Sequence, residues 1–192
     1  FSTKEPETLE WIDSFEKNKV FWDIGANIGL YSCYAAKKKN CKVFAFEPSY
    51  FNLPTLSKNI NYNKLQDKVS IIPLPLSNMI SCSTFNMSDT TVGGALSSFA
   101  SLTGYDGKNI KKNFYYTTIG QTIDQLKSQY KLQNPDYLKI DVDGIDHLVL
   151  KGGSKTLTKC KSILIEINLK FEKQYNLIKK ILCKKNFKLE NK

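Results

Sequence analysis

The alternation of short apolar runs with amphipathic stretches constrains the fold more than any other feature of the sequence. Strands are predicted at 20–22, 42–46, 69–72, 137–140 and 162–167. Helices are predicted at 6–17, 30–38, 53–63, 123–130, 145–150 and 171–184. Buried strands separated by helices are typical of βαβ units, whose strands run parallel. We therefore expect an α/β fold with a mostly parallel central sheet and helices on both faces.

One segment, residues 83–120, breaks this alternation. It contains Gly93-Gly94, a serine cluster and the pair Tyr115-Tyr116, and we interpret it as an inserted hairpin or a flexible lid. The chain starts at Phe1, and 187–190 has the pattern of a strand that has just begun. We expect a single domain spanning 1–192, excised from a longer, multidomain protein.

Composition narrows the class of protein. The 192 residues suit one domain with a real core, and no apolar run is long enough to cross a bilayer. The five cysteines are scattered without a C-x-x-C pair, so neither a disulfide framework nor a zinc site is indicated. Cysteines of this kind are typical of small core residues in a reducing compartment, and we expect a cytoplasmic protein without a membrane partner.

The formal net charge is +10, a value that also occurs in proteins that bind nucleic acid. Every basic residue other than the single histidine is lysine, and there is no arginine. Arginine supplies the two-pronged donor that phosphate and guanine contacts favour. A solvated lysine surface is the preferred interpretation, and a nucleic-acid partner is not expected.

The segment after the first predicted strand carries a glycine turn, Asp23-Ile24-Gly25-Ala26-Asn27-Ile28-Gly29. Ligands of parallel sheets bind at the carboxyl ends of strands, where Glu47 also closes the second strand and suits a ribose. The middle glycine that a dinucleotide pyrophosphate needs is absent. The acid and amide at Asp23 and Asn27 suit the ammonium and sulfonium of S-adenosylmethionine better, so the loop favours that methyl donor over a nicotinamide.

These motifs, taken together, resemble the FkbM family of S-adenosylmethionine-dependent methyltransferases. The resemblance is carried by residues 23–29, Phe46-Glu47-Pro48, 138–144 and 149–152. Smaller matches occur at Asn59-Ile60 with Asn63, at Thr122-Ile123-Asp124 and at Leu164-Ile165-Glu166. The likeness runs from about Pro6 to Ile167. It implies a Rossmann-like class I methyltransferase fold and transfer of methyl groups mainly to hydroxyls of sugars and other small molecules.

The resemblance also implies a set of cofactor contacts. Asp23, Gly25, Asn27 and Gly29 surround the methionine part, Glu47 holds the ribose, and Ser77 is a weaker candidate for the adenine edge. The chain departs from the family in two places. Asp143 stands where the family usually has Glu, and the last hairpin of the fold is incomplete, which puts part of the substrate wall in doubt.

Methyl transfer to an alcohol requires a base close to the acceptor hydroxyl. We expect Asp143 to be that base and Asp141 to orient the substrate or a metal, with both side chains on one face if the strand extends that far. Glu166, with Asn168, would complete a magnesium site with Asp141 if a divalent metal is used. The alternative is that Asp141 only holds the loop and the cofactor. His147 is either a proton relay or a structural residue.

The leading interpretation is an O-methyltransferase for a glycan or another hydroxylated small molecule, with glycosyltransferase domains in the same polypeptide. Of the aromatic residues near the segment 83–120, which include Tyr105, Phe114 and Tyr115, about half are expected to line a sugar pocket and the rest to belong to the core. A nucleic-acid methyltransferase is the second interpretation, but residues 134–137 lack the second proline of an N/D-P-P-Y loop. A non-catalytic module with the same fold is the third.

Overall fold

The computed structural model describes residues 5–190, so the ends at 1–4 and 191–192, where truncation is expected, lie outside the described residues. The strands are β1 (Val20–Ile24), β2 (Lys42–Phe46), β3 (Val69–Ile72), β4 (Ser81–Met87), β5 (Ser97–Phe99), β6 (Phe114–Gly120), β7 (Tyr137–Ile140) and β8 (Ser162–Ile165). The helices are α1 (Pro6–Asp13), α2 (Leu30–Lys39), α3 (Leu53–Tyr62), α4 (Ile123–Gln129), α5 (Asp146–Gly152) and α6 (Glu172–Cys183), with a 3₁₀ turn at Thr156–Lys159.

Five strands form one parallel sheet in the order β3-β2-β1-β7-β8. Apolar side chains cover both of its faces. Ile12, Ala35 and Leu56 belong to the core under α1, α2 and α3, whereas Ile123 and Ile178 belong to the core under α4 and α6. The α/β prediction with helices on both faces is therefore confirmed.

The chain order places the topological switch point between β1 and β7. The strands after β1 extend the sheet in one direction as far as β3, and β7 then pairs with the opposite edge of β1. Two successive loops leave a parallel sheet in opposite directions at such a point, and a crevice opens between them. The ends of β1 and β7 are consequently the place where this fold can hold a ligand.

Local chemistry explains several element boundaries. Pro6 begins α1 in the first-turn position that proline tolerates, and Thr122 caps α4 by accepting a hydrogen bond from the Gln125 N–H at 3.1 Å. The helix predicted over 6–17 ends earlier, at Asp13. The chain turns there, and Phe15 stacks on Tyr137 with 3.7 Å between ring centroids, a contact that sequence periodicity does not reveal.

The segment interpreted as an insertion contributes a second sheet. Strands β5, β4 and β6 are antiparallel, in that order, so the segment contains three strands and not a single hairpin. Phe85, Met87 and Phe99 form a small core with Ile145, at the start of α5. The insertion is thereby packed against the end of β7.

The strand expected at 187–190 is not formed, which corrects the prediction. This segment has no regular structure and pairs with none of the described strands, and a strand requires the backbone groups of a neighbour. Among the residues that the model describes, no helix is both long and apolar enough to cross a membrane.

Candidate functional site

A cavity of about 490 Å³ opens at the carboxyl ends of the parallel strands. Most of its lining comes from five parts of the chain, namely 24–31, 46–52, 74–76, 93–99 and 139–145, and Glu5, Phe85, Tyr105 and Glu166 complete it. Its position matches the switch point between β1 and β7. Gly25, Asn27 and Glu47, predicted from the sequence, are all in the lining.

The turn after β1 requires glycine for a steric reason. Gly25 has φ +84°, and a Cβ on it would lie 1.8 Å from the carbonyl oxygen of Asp141. Gly29 also has a positive φ, and its Cβ would lie 2.2 Å from Leu56 Cδ1. Gly29 is not in the cavity lining, so its role in the structure is the close approach of α2 to α3.

Glu47 is held rigidly beside this turn. Its Oε2 accepts a hydrogen bond from the Asn27 N–H at 2.7 Å, and its Oε1 accepts one from the Ser49 N–H at 2.8 Å. Burial raises the pKa of Glu47 to about 7, although these hydrogen bonds act in the opposite direction. A buried carboxyl group with fixed orientation is suited to accepting hydrogen bonds from the two hydroxyls of a ribose.

Two of the predicted cofactor residues lie behind the cavity wall. Asp23 is fully buried and accepts a hydrogen bond from Ser32 Oγ at 2.6 Å, and burial raises its pKa. Ser77 is buried and its N–H donates to the carbonyl oxygen of Gln121. Leu74 and Leu76, just before Ser77, line the cavity instead. Both residues can thus act on a ligand only through their neighbours.

A buried lysine is the main feature of the site that sequence analysis missed. Lys139 is 3% exposed and its Nζ lies 2.6 Å from Asp141 Oδ2. The charges of Asp141 and Asp23 raise the pKa of Lys139 against the effect of burial. The sequence contains one signal for it, which is a lysine within the apolar run Tyr-Leu-Lys-Ile of a central strand, because a lysine there needs a buried anionic partner.

Three carboxyl groups meet beside this lysine. Ligand atoms of Glu5, Asp141 and Glu166 all lie within 4.8 Å of one another. The charge of Asp141 is the main cause that raises the pKa of Glu166 to about 7. Oxygen donors at this spacing suit a divalent cation, but the contact from Lys139 already neutralises part of the charge. The structure thus brings together the predicted pair Asp141 and Glu166 and adds Glu5.

Asp143 lies beyond the end of β7 in a left-handed conformation, with φ +50°. Strand alternation would place Asp141 and Asp143 on one face only if the strand extended that far, and this condition is not met, since β7 ends at Ile140. Asp143 Oδ2 accepts hydrogen bonds from the Leu96 and Ser97 N–H groups at 2.7 and 3.1 Å. Burial raises its pKa. Asp143 Oδ1 makes no hydrogen bond within the described residues.

Residues 93–97, which we call the strap, form one wall of the cavity. Asn27 Nδ2 donates to the carbonyl oxygens of Gly93 and Gly94 at 3.2 and 3.3 Å. Asn52 Oδ1 accepts from the Gly93 N–H at 2.9 Å. Together with Asp143, these side chains fasten the strap to the loops after β1, β2 and β7. No local sequence signal identifies Asn52 as an anchor, because it lies 41 residues before its partner.

A second cavity, of about 160 Å³, adjoins the first. Four residues line both cavities, namely Tyr105, Asp141, Asp143 and Glu166. The remaining lining of the second cavity consists of Gly144, Asp146, Ile167, Asn168 and Gln174. The predicted catalytic carboxyl groups thus stand where the two cavities meet.

His147 and two of the three aromatic candidates lie elsewhere. His147 lines neither cavity, its Nδ1 has no hydrogen-bond partner among the described residues, and burial lowers its pKa. Phe114 packs edge-on against Phe51, and Tyr115 lies under the Lys112 ammonium on the outside. Tyr105 alone of the three aromatic candidates borders a cavity.

The larger cavity fits the cofactor expected from the family resemblance. Leu74, Leu76 and Phe85 provide an apolar wall for an adenine, and Glu47 provides a ribose acceptor. Two polar atoms at the lining, Asn27 Oδ1 and Ser49 Oγ, are buried without a hydrogen-bond partner among the described residues. Buried polar atoms usually have partners, so a polar ligand would satisfy them.

Comparison with known proteins agrees with this geometry. The family model described as "Methyltransferase FkbM domain" matches residues 23–189. Hexuronic acid methyltransferase AglP of Haloferax volcanii is 28% identical over 157 residues, which cover 82% of this chain and 59% of that protein. This chain thus spans about three fifths of that relative.

Solved methyltransferase structures share the fold. The methyltransferase FkbM of Methylobacillus flagellatus KT superposes with a TM-score of 0.59 at 16% identity, covering 87% of this chain and 38% of that one. A precorrin-6y C5,15-methyltransferase of Geobacter metallireducens GS-15 gives a TM-score of 0.56 at 14% identity, covering 97% and 72%. At these identities the likeness shows the fold alone.

Proposed function

The chain belongs to the FkbM family of S-adenosylmethionine-dependent methyltransferases, and from that membership we propose that it methylates a hydroxyl oxygen of a sugar, a glycan or another small hydroxylated molecule in the cytoplasm. The observation that carries the proposal is the meeting of two cavities at a group of carboxyl side chains. The similarity to AglP, a hexuronic acid methyltransferase, supports a sugar as the acceptor.

In this proposal the larger cavity holds S-adenosylmethionine, which supplies the methyl group. Glu47 accepts the ribose hydroxyls, and Gly25 and Asn27 pass under the methionine part. Asp23 and Gly29 support that loop from behind, and Ser77 supports the adenine wall through Leu76. Because much of methyl transfer depends on the placement of the two reactants, these positions account for a large part of the catalysis.

Asp143 is the proposed base. Its Oδ2 is fixed by two backbone N–H groups, while its Oδ1 is left to accept the proton of the acceptor hydroxyl. Asp141, held by Lys139, orients the acceptor. If the reaction requires magnesium, Asp141 and Glu166 are its proposed ligands. His147 lines neither cavity, and this position favours a structural role for it. A proton relay through His147 is not part of this mechanism.

Calorimetric titration with S-adenosylmethionine and S-adenosylhomocysteine, with and without magnesium, tests the first half of the proposal. We expect a micromolar dissociation constant for both ligands. A dissociation constant that changes with magnesium would support the ligand role of Asp141 and Glu166. Absence of binding would contradict the proposed function and favour a non-catalytic module.

Asp143→Asn tests the base. A positioned base typically contributes about 10²- to 10⁴-fold to the rate, so we expect methyl transfer to fall by at least about 100-fold. Asparagine keeps an oxygen for the strap N–H groups, and cofactor affinity should therefore change little. The matched change Asp67→Asn, at an exposed turn outside both cavities, serves as the control. Unchanged activity of Asp143→Asn would remove the base assignment.

A further inference from the structure

We infer that the second cavity is the acceptor subsite and that it favours an acceptor with an amine near the reacting hydroxyl and rejects a uronic acid. This inference rests on the proposed function, because it concerns the charge of the molecule that is methylated. It also separates this chain from AglP, which is a hexuronic acid methyltransferase.

The position of the second cavity is the first support. It shares Tyr105, Asp141, Asp143 and Glu166 with the larger cavity, so a molecule in it contacts the same carboxyl groups as a ligand in the larger one. A methyl donor and an acceptor must lie side by side for the transfer. Tyr105, half exposed at this junction, offers an aromatic face of the kind against which sugars and cations pack.

The second support is the charge of the lining. Four of its nine lining residues, Asp141, Asp143, Asp146 and Glu166, carry carboxyl groups, and none is lysine, arginine or histidine. The remaining polar residues, Asn168, Gln174 and Tyr105, are neutral. An anionic acceptor entering this cavity would thus meet carboxyl groups without a cationic side chain to bind its own carboxylate.

Neighbouring positive charges do not outnumber the carboxyl groups of the second cavity. Asp141 is paired with Lys139, and S-adenosylmethionine brings one net positive charge. Asp143 and Glu166 remain, and Glu5 adds a further carboxyl group next to Glu166. None of the exposed lysines belongs to the lining of either cavity, and salt screens exposed charges that are more than about 8–10 Å apart.

In the proposed reaction with such an acceptor, Asp143 and Glu166 have separate roles. The bond between the acceptor oxygen and the methyl carbon forms as the methyl–sulfur bond breaks, the electron pair of that bond goes to sulfur, and S-adenosylhomocysteine leaves. The hydroxyl proton goes to Asp143. A protonated amine on the acceptor would lie against Glu166, the most exposed carboxyl group at the junction.

The test compares three acceptors that share one sugar ring and are cationic, neutral and anionic. We would load the protein with S-adenosylhomocysteine, add EDTA, and measure by calorimetry at about pH 7 the dissociation constants of methyl glucosaminide, methyl glucoside and methyl glucuronide. One favourable or unfavourable charge contact of modest strength changes affinity about threefold, so the two together amount to about tenfold. We expect the glucosaminide to bind about tenfold more tightly than the glucuronide, with the neutral glucoside between them.

The variant Glu166→Gln identifies the source of this preference. It should reduce the ratio of the two dissociation constants to about threefold or less, whereas the matched Glu10→Gln, on the exposed side of α1 and outside both cavities, should leave the ratio unchanged. Equal or tighter binding of the glucuronide would overturn the inference, and so would binding of none of the three sugars. A ratio that Glu166→Gln does not change would overturn it as well.

The two proposals fail in distinguishable ways. A protein that does not bind S-adenosylhomocysteine contradicts the proposed function itself. A protein that binds it and prefers the glucuronide keeps the function and loses only the charge preference. If the sugars bind only when magnesium replaces EDTA, and the glucuronide then binds most tightly, the proposed function is likewise kept and the charge preference is lost. A metal ion would in that case link the carboxylate of the sugar to the carboxyl groups of the cavity.

Discussion

Glu47 shows how a single residue can be identified from its place in the sequence while its properties depend on its surroundings. Its position, directly after the apolar run Val43–Phe46, identifies the acid that follows the second strand. Its raised pKa arises from burial, which outweighs the hydrogen bonds from the Asn27 and Ser49 N–H groups that lower it. The consequence is a carboxyl group that titrates near neutral pH.

The pH dependence of cofactor binding tests this role. The pKa of Glu47 lies at about 7 in the folded protein, above the 4.5 of an ordinary glutamate. Its ionised form is the better acceptor for two hydroxyls, so the dissociation constant of S-adenosylhomocysteine should fall as the pH rises from about 6 to about 8. In Glu47→Gln we expect binding about 10- to 100-fold weaker, since a hydrogen bond to a charged group contributes about 1.5–3 kcal/mol, and a smaller pH slope.

The same pKa shift has a consequence for stability with the opposite sign. Folding disfavours the ionised form of Glu47, so its share of the stability is fully present below pH 4.5 and is lost as the pH rises through about 7. Relative to the parent, Glu47→Gln should therefore gain stability between pH 5 and about 8 in urea unfolding. If the dissociation constant and the free energy of unfolding each changed with pH in Glu47→Gln as they do in the parent, Glu47 would not be the group that titrates near pH 7.

Among the structural elements, the strap most clearly joins parts of the chain that are distant in sequence. Leu96 has φ +61°, an uncommon conformation for a residue other than glycine. The two hydrogen bonds from the strap to Asp143 and those to Asn27 and Asn52 hold it in place. Strained backbone persists where several contacts over-determine it, and here they place the strap over the larger cavity.

Asn52→Ala tests whether the strap retains the cofactor. The change removes the acceptor for the Gly93 N–H, and one neutral hydrogen bond is worth about 0.5–1.5 kcal/mol. We expect S-adenosylhomocysteine to dissociate about three- to tenfold faster, and amide exchange in residues 93–97 to accelerate. Dissociation would be followed by stopped-flow displacement and exchange by mass spectrometry.

A matched control is available on α3. Asn61 is exposed, and its side chain makes none of the hydrogen bonds that fasten the strap, so Asn61→Ala should leave both measurements unchanged. If Asn52→Ala accelerates amide exchange but not ligand dissociation, the strap is mobile without acting as a retaining element.

Considered as a whole, the molecule has opposite signs of charge outside and inside. The net charge is +10, yet the lining of the larger cavity contains five carboxyl groups and a single lysine, Lys139. Surface charge governs solubility and nonspecific association, whereas the cavity governs recognition. The basic composition is therefore a poor guide to the substrate.

This contrast predicts weak, salt-sensitive binding to nucleic acid. Contacts made by lysines to phosphates release counterions, and affinity falls steeply with salt. Any binding to a short RNA duplex at about 50 mM salt should be undetectable in the micromolar range at about 200 mM, as measured by fluorescence anisotropy. Submicromolar affinity that survives about 200 mM salt would restore the nucleic-acid interpretation.

The sequence by itself determined the class of fold, and it identified several of the residues that we propose hold the cofactor. The strands and helices are local features, and their hydrophobic periodicity reports them whether or not the rest of the chain is known. The turn at Gly25 and the acid at Glu47 are likewise identifiable locally, because each follows directly on a buried strand. The helix that ends at Asp13 was predicted too long because stacking of Phe15 on Tyr137 is a distant contact.

Only the tertiary structure decided the acceptor side. Glu5 and Glu166, at opposite ends of the described chain, meet beside Asp141, and Asp143 fastens a strap 47 residues away. Lys139 acquires its raised pKa from Asp141, just beyond the end of β7, and from Asp23 on the neighbouring β1. Such groupings depend on which strands are adjacent and where they end, and local patterns of hydrophobicity carry no information about either. The carboxyl groups of the proposed acceptor subsite therefore became apparent only once β1, β7 and β8 lay side by side.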